Sequence, residues 1–140
     1  MTIPVWVLLG FAVWTIAVLM AGIGIRRWTL ILTGSAQLTD FPADQPHGSA
    51  PYRRAVRAHA NCVENLPVFG AIVFALSASQ TASATIDALA VVFLIARICQ
   101  SLVHMCFSET NVTVLIRFCF FAVQLAIMLT LAVTVANHLV

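Results

Sequence analysis

Four long apolar stretches, separated by polar connections, set the pattern of the chain. Residues 3–25 hold no charge, residues 55–79 begin polar and end apolar, and residues 85–107 and 112–137 are apolar apart from a few polar side chains. A membrane-spanning helix needs roughly 20 mostly apolar residues, so each stretch predicts one span. The expected architecture is all-α: an integral membrane four-helix bundle forming a single domain over residues 1–140. The first stretch lacks a basic leader and a small-residue cleavage site and exceeds a signal-peptide core, so it reads as an uncleaved span.

The connections differ in kind. The first, residues 26–52, contains "TDFPADQPHGSAP", whose proline, glycine and small polar residues predict loop. Pro51 suits the opening of the second helix, where a missing N–H costs nothing. The second connection, near "SQTAS", is short and uncharged, and Asp87 is placed in the first turn of the third helix, beside its positive end. The third, "SETNV", is also short. Short connections make neighbouring helices antiparallel.

Composition supports the bilayer as solvent. The chain is 61% hydrophobic and 9% charged, with a mean hydropathy of +1.01, against about a quarter charged in ordinary soluble domains. Net charge is +2, from seven arginines and no lysine, which gives a nucleic-acid role no support. Membrane lipids are the expected surroundings. Cys62, Cys99, Cys106 and Cys119 fall in apolar stretches without a CxxC pair, so buried free thiols are expected and no metal site.

Charge also orients the chain. Arg26, Arg27, Arg53 and Arg54 flank the first connection, and the second has no basic residue. The positive-inside rule then places the first and third connections in the cytosol and both termini on the other side. The sequon at Asn111 would face the cytosol against the bilayer and is discounted.

The polar residues inside the spans form stripes. Arg57, Asn61 and Glu64 stand at i, i+4, i+7 on the second helix and share one face. Arg97, Gln100 and His104 repeat the spacing on the third, and Arg117 and Gln124 are seven apart on the fourth. With alternating helix directions, all three stripes fall in the cytosolic leaflet. Arg97 lies about ten residues from its helix end, so roughly 15 Å inside at about 1.5 Å per residue. A mid-membrane arginine costs roughly 2.5 to 3.5 kcal/mol on insertion scales, so it needs partners. Glu64 or a backbone carbonyl is expected for Arg97, and an interhelical hydrogen bond for Gln124. One glutamate cannot neutralise Arg57, Arg97 and Arg117 together, so the stripes carry surplus positive charge and invite an anionic ligand. A purely structural polar network is the other reading. Pro67 frees the carbonyl of Val63 and is expected to kink the second helix.

The segment "RAHANCVENLPVF" resembles the signature of the MAPEG family, the membrane-associated proteins of eicosanoid and glutathione metabolism. Arg57, Asn61, Glu64, Pro67 and Phe69 carry the match, with a weaker one at Arg97 and Arg117. The resemblance implies a homotrimer of four-helix bundles. It implies glutathione held between subunits near the cytosolic face, with a hydrophobic small-molecule substrate entering from lipid. By position, Arg57, Asn61 and Glu64 look like ligands of glutathione, and His59 and Asn65 sit where members offer further contacts. Arg117 falls where the family places the arginine beside the sulfur, and Arg26 or Arg27 would reach a neighbouring subunit. Small-residue runs such as "AGIG" permit close helix approach in such an assembly.

The chain also departs from the family pattern. Catalytic relatives often carry tyrosines where this sequence has Asn65, Gln100 and His104. Gln100 and His104 are therefore candidates to replace them, Gln100 in binding and His104 as base or hydrogen-bond donor. The only tyrosine, Tyr52, is placed in the loop before the second helix. The segment between His104 and Arg117 is several residues longer than in the well-known synthases. The leading reading is a glutathione transferase or peroxidase acting on lipophilic electrophiles. The alternatives are a non-catalytic lipid-binding or scaffold protein, and a proton or ion relay through Glu64, Arg97 and His104, against which stands the lack of a second buried acid.

Overall fold

The first helix does not stop where the uncharged stretch does. In the computed structural model, which describes residues 2–42 and 47–139, α1 (Ile3–Val18) passes through a π-helical turn at Leu19–Gly24 and continues as α2 (Ile25–Leu32). Hydropathy marks where lipid ends, whereas a helix ends where its hydrogen bonding is interrupted. No proline or glycine intervenes between Ile25 and Leu32, and the chain turns only at Gly34, at φ +70. Arg26 and Arg27, expected to open the first connection, are therefore helical. The middle of the predicted proline-rich loop, residues 43–46, lies outside the described residues.

The second span also begins earlier than the apolar pattern. Helix α3 covers Ala50–Ala78, with Ser49 extended at its N-cap and Pro51 in its first turn. Tyr52 is accordingly a buried helical residue and not a loop residue. Its hydroxyl accepts a hydrogen bond from Arg27 Nε at 2.5 Å, and the Arg26 guanidinium lies 5.8 Å from its ring. Gly48 permits this tuck. Its φ is +79, and a Cβ there would fall 2.7 Å from the Tyr52 ring.

Helix α4 (Ala84–Cys106) starts at Ser83, whose hydroxyl accepts from the Ile86 N–H at 3.2 Å, and Asp87 lies in its first turn. Helix α5 covers Asn111–Leu139. Four helices are long and apolar enough to cross a membrane: Ile3–Leu32, Ala50–Ala78, Ala84–Cys106 and Asn111–His138. Among the described residues there is no strand.

Helix α4 packs against α1, α3 and α5, so its polar residues face all three. The centre is aromatic. Phe69 of α3 stacks on Phe93 of α4 at 4.0 Å, and Phe11 of α1 meets both rings edge-on at 6.4 and 5.6 Å. In lipid, such close packing and interhelical hydrogen bonds replace the hydrophobic drive as the source of association. The small residues serve this within the chain. A Cβ on Gly22 would come within 2.8 Å of the Ala55 Cβ, so part of "AGIG" seats the π-helical turn on α3. The thiols divide: Cys62 is buried and Cys99 half-buried, but Cys106 and Cys119 are exposed. Those two were expected inside; an apolar stretch in a membrane protein is apolar on its outer face too.

Candidate functional site

The three polar stripes meet at the arginine-bearing end of the bundle, but in two separate layers. The inner layer is built on Arg97, whose residue is 1% exposed. Its Nη1 donates to the Asn61 side-chain oxygen at 3.0 Å, with the Asn61 carbonyl at 3.4 Å, and the guanidinium sits 5.5 Å from the Phe11 ring. Glu64 is not its partner. Nε and Nη2 of Arg97 are buried with no hydrogen bond. The arginine is thus held by an amide and an aromatic face.

Beside it runs an amide ladder. Gln124 Nε2 donates to Gln100 Oε1 at 3.1 Å and to the Phe120 carbonyl at 2.9 Å, while Gln100 Nε2 donates to the Arg117 carbonyl at 3.0 Å. Gln124 is the interhelical bond that the sequence leads one to expect. Gln100 departs from its expected place among the ligands. It is 3% exposed, and both ends of its amide are bonded within the chain, where they fix the backbone of Arg117.

The outer layer is ionic. The third connection folds Glu109 between two helices. One carboxylate oxygen accepts from Arg57 Nη1 at 2.5 Å and lies 3.9 Å from Arg117 Nη1. The same Arg117 nitrogen is 3.0 Å from His104 Nδ1. A guanidinium can only donate, so Nδ1 is the acceptor and the imidazole is neutral with its proton on Nε2. Arg117 has a side chain only 13% exposed, and Nη1 is its only side-chain nitrogen with a partner among the described residues. The extra residues between His104 and Arg117 form the short connection and the start of α5, and they still deliver the two side chains to each other.

Sequence reading missed Glu109 because it counted only carboxylates inside the half-spans. The signal was available: an acid in a short connection at the arginine-rich end must lie within reach of the helix mouths. Its presence lowers the surplus charge inferred from Glu64 alone. The other candidates are placed as follows. Glu64 is exposed and has no hydrogen bond or ion pair among the described residues. Asn65 donates back to Asn61, to its carbonyl at 2.8 Å and its side-chain oxygen at 3.1 Å. His59 is half-buried, with Nδ1 buried and unbonded. Arg27 is held on Tyr52 and lies 5.2 Å from the Phe41 ring.

The arrangement offers two cations of different exposure, Arg57 at 62% and Arg117 at 13% by side chain. It also offers a neutral imidazole donor and an outward carboxylate without a partner among the described residues. Arginine forks take carboxylates and a carboxylate takes an ammonium, so the arrangement suits a ligand that carries charges of both signs. The model of the MAPEG family matches residues 3–137. No curated protein matches the chain.

Proposed function

The chain belongs to the MAPEG family, and on that premise we propose that it is a glutathione-dependent transferase or peroxidase acting on lipophilic electrophiles. As a member it is an integral multi-pass membrane protein with a glutathione-related function at the level of the family, which includes transferases, peroxidases and non-catalytic proteins. The finer reading assigns roles to this chain's residues. Arg57 takes a glutathione carboxylate. Glu64 takes the ammonium. His59, Asn61 and Asn65 line the path between them, with Arg27 near a neighbouring subunit. Arg117 stabilises the thiolate, and His104 presents Nε2–H as a donor in place of a tyrosine hydroxyl. The observation that carries this reading is the part-buried Arg117–His104 pair at 3.0 Å, whose arginine shares Glu109 with Arg57. Transfer then forms a carbon–sulfur bond as the leaving group departs from the electrophile. Gln100 acts as a positioning residue through the Arg117 carbonyl.

The proposed assembly is a homotrimer with glutathione between subunits, and one domain spans the whole chain. The arginine-bearing end faces the cytosol. A reporter fused after Val140 is expected to be active only when exported, and cytosolic activity of that fusion would reverse the orientation. The function itself is tested by titrating purified, detergent-solubilised protein with glutathione, then following turnover of an aryl halide and of a lipid hydroperoxide. Saturable binding with turnover of either substrate supports it; absence of binding sinks it. Binding without turnover selects the second reading, a lipid-binding or scaffold member, which is favoured by the internal commitment of Gln100.

Glu109 supplies a separate expectation. Its carboxylate occupies Arg57 at the place where a glutathione carboxylate would bind. Both partners are largely exposed, so the contact is worth about 0 to 1 kcal/mol. Glu109→Gln should then tighten glutathione binding by up to about fivefold, measured by calorimetry. Weaker binding in that variant would show that Glu109 positions the arginines instead of competing for them.

A further inference from the structure

A second basic site lies beside the first and shares only Arg57 with the proposed glutathione contacts. A cavity of about 310 Å³ opens between the first turns of α3 and the third connection, lined by Ala50, Arg53, Arg54, Arg57, Ser108 and Glu109. The only acid in its wall, Glu109, is engaged by Arg57. Arg53 and Arg54 therefore bring uncompensated charge to the cavity. Arg53 is exposed and has no hydrogen bond or ion pair among the described residues. Arg54 is half-buried, and its Nε is fully buried with no hydrogen-bond partner.

The surroundings say which anion fits. Phe107, next to Ser108, is 57% exposed, and Val112, in the first turn of α5, is 64% exposed. Both flank the connection that forms one wall of the cavity. The residues on either side of that wall thus offer exposed apolar surface a residue or a few away from the cationic lining. A free anion has no use for that surface, whereas a phospholipid uses both parts. Its phosphate offers several acceptor oxygens to two guanidinium forks and the Ser108 hydroxyl. Cationic side chains beside a span also favour lipids of net negative charge.

We propose that the Arg53–Arg54 cavity binds the phosphate of an anionic phospholipid headgroup, with the acyl chains lying along Phe107 and Val112. The site is separate from the proposed glutathione contacts except for Arg57, which Glu109 holds.

The test uses the full chain, purified in a non-ionic detergent. Native mass spectrometry measures retention of short-chain phosphatidylglycerol against phosphatidylcholine. The wild type should retain phosphatidylglycerol at least about tenfold better, and Arg53→Gln with Arg54→Gln should abolish that preference. Glutathione titration of the same variant should be unchanged, which separates this site from the proposed function. Equal retention of both lipids, or an unchanged preference in the double variant, overturns the proposal. Inorganic phosphate that displaces phosphatidylglycerol at equal concentration also overturns it, because the site would then read phosphate without lipid. Should the double variant fail to fold, Arg53→Gln alone, at the exposed position, carries the same expectation at a partial loss.

Discussion

Arg117→Ala is expected to raise the pKa of the glutathione thiol bound to the protein and to cut turnover by about ten- to hundredfold, while glutathione still binds. A free thiol titrates near about 8.5, so only a few per cent is thiolate at neutral pH, and the thiolate is the nucleophile. A guanidinium at about 4 Å from the sulfur interacts by roughly 4 kcal/mol at an effective dielectric of about 20. Desolvation at the membrane boundary opposes this by disfavouring the anion. A net lowering of about one to two pH units makes thiolate a large fraction at neutral pH. Arg117 suits the task because its side chain is only 13% exposed, a guanidinium stays charged, and it has nitrogens without a partner among the described residues.

The sign follows from the thiolate being the stabilised form. The group's pKa is lowered by the arginine, so activity gained from it is present above the lowered value and is lost as pH falls through it. Removing the arginine moves the rising limb of the pH–rate profile to higher pH. Thiolate absorbance against pH measures this in wild type, Arg117→Ala, Arg117→Lys and His104→Ala. Lysine should rescue in part, since it keeps the charge but not the fork. His104→Ala should cost less than Arg117→Ala, because a neutral donor contributes a single hydrogen bond. Unchanged pKa and turnover in Arg117→Ala would refute the mechanism. A loss confined to His104→Ala would move the role there.

How far the sequence could be read depends on what each feature answers to. The spans follow from hydropathy, because lipid demands long apolar runs whatever their packing. The helix ends do not. Arg26, Arg27 and Tyr52 are helical because hydrogen bonding continues past the apolar boundary. The shared face of Arg57, Asn61 and Glu64 follows from helical spacing, yet the three have different fates. Asn61 meets Arg97, Arg57 meets Glu109, and Glu64 faces outward. Spacing fixes direction around one helix, whereas partners depend on how far along the helix a neighbour reaches. Glu109 shows this most clearly. It lies in a connection without periodicity, and only the return of the chain over the helix mouth brings it to both arginines. The inward turn of Gln100 has the same origin, since it depends on Gln124 and the Arg117 carbonyl across the α4–α5 contact.

Glu64→Gln is expected to weaken glutathione binding by about ten- to hundredfold while leaving assembly intact, since a charge-assisted hydrogen bond is worth roughly 1.5 to 3 kcal/mol. Glu64 stands two turns along α3 from Arg57, about 10 Å at about 1.5 Å per residue. It is exposed on the bundle and has no hydrogen bond or ion pair among the described residues. A charged group on the outward face of a membrane helix is costly, by up to roughly 2.5 to 3.5 kcal/mol near the centre and less towards the interface. A partner from outside the protomer would offset that cost. Two partners are open to it: the ammonium of glutathione, or a cation of a neighbouring subunit. Glutamine keeps the shape and the hydrogen-bonding capacity and removes only the charge, so the two predict different losses. With the ammonium as partner, the proposed trimer persists and affinity falls. With a neighbouring arginine as partner, the variant loses the trimer on native mass spectrometry even without glutathione. An unchanged affinity in an intact trimer would remove Glu64 from the site.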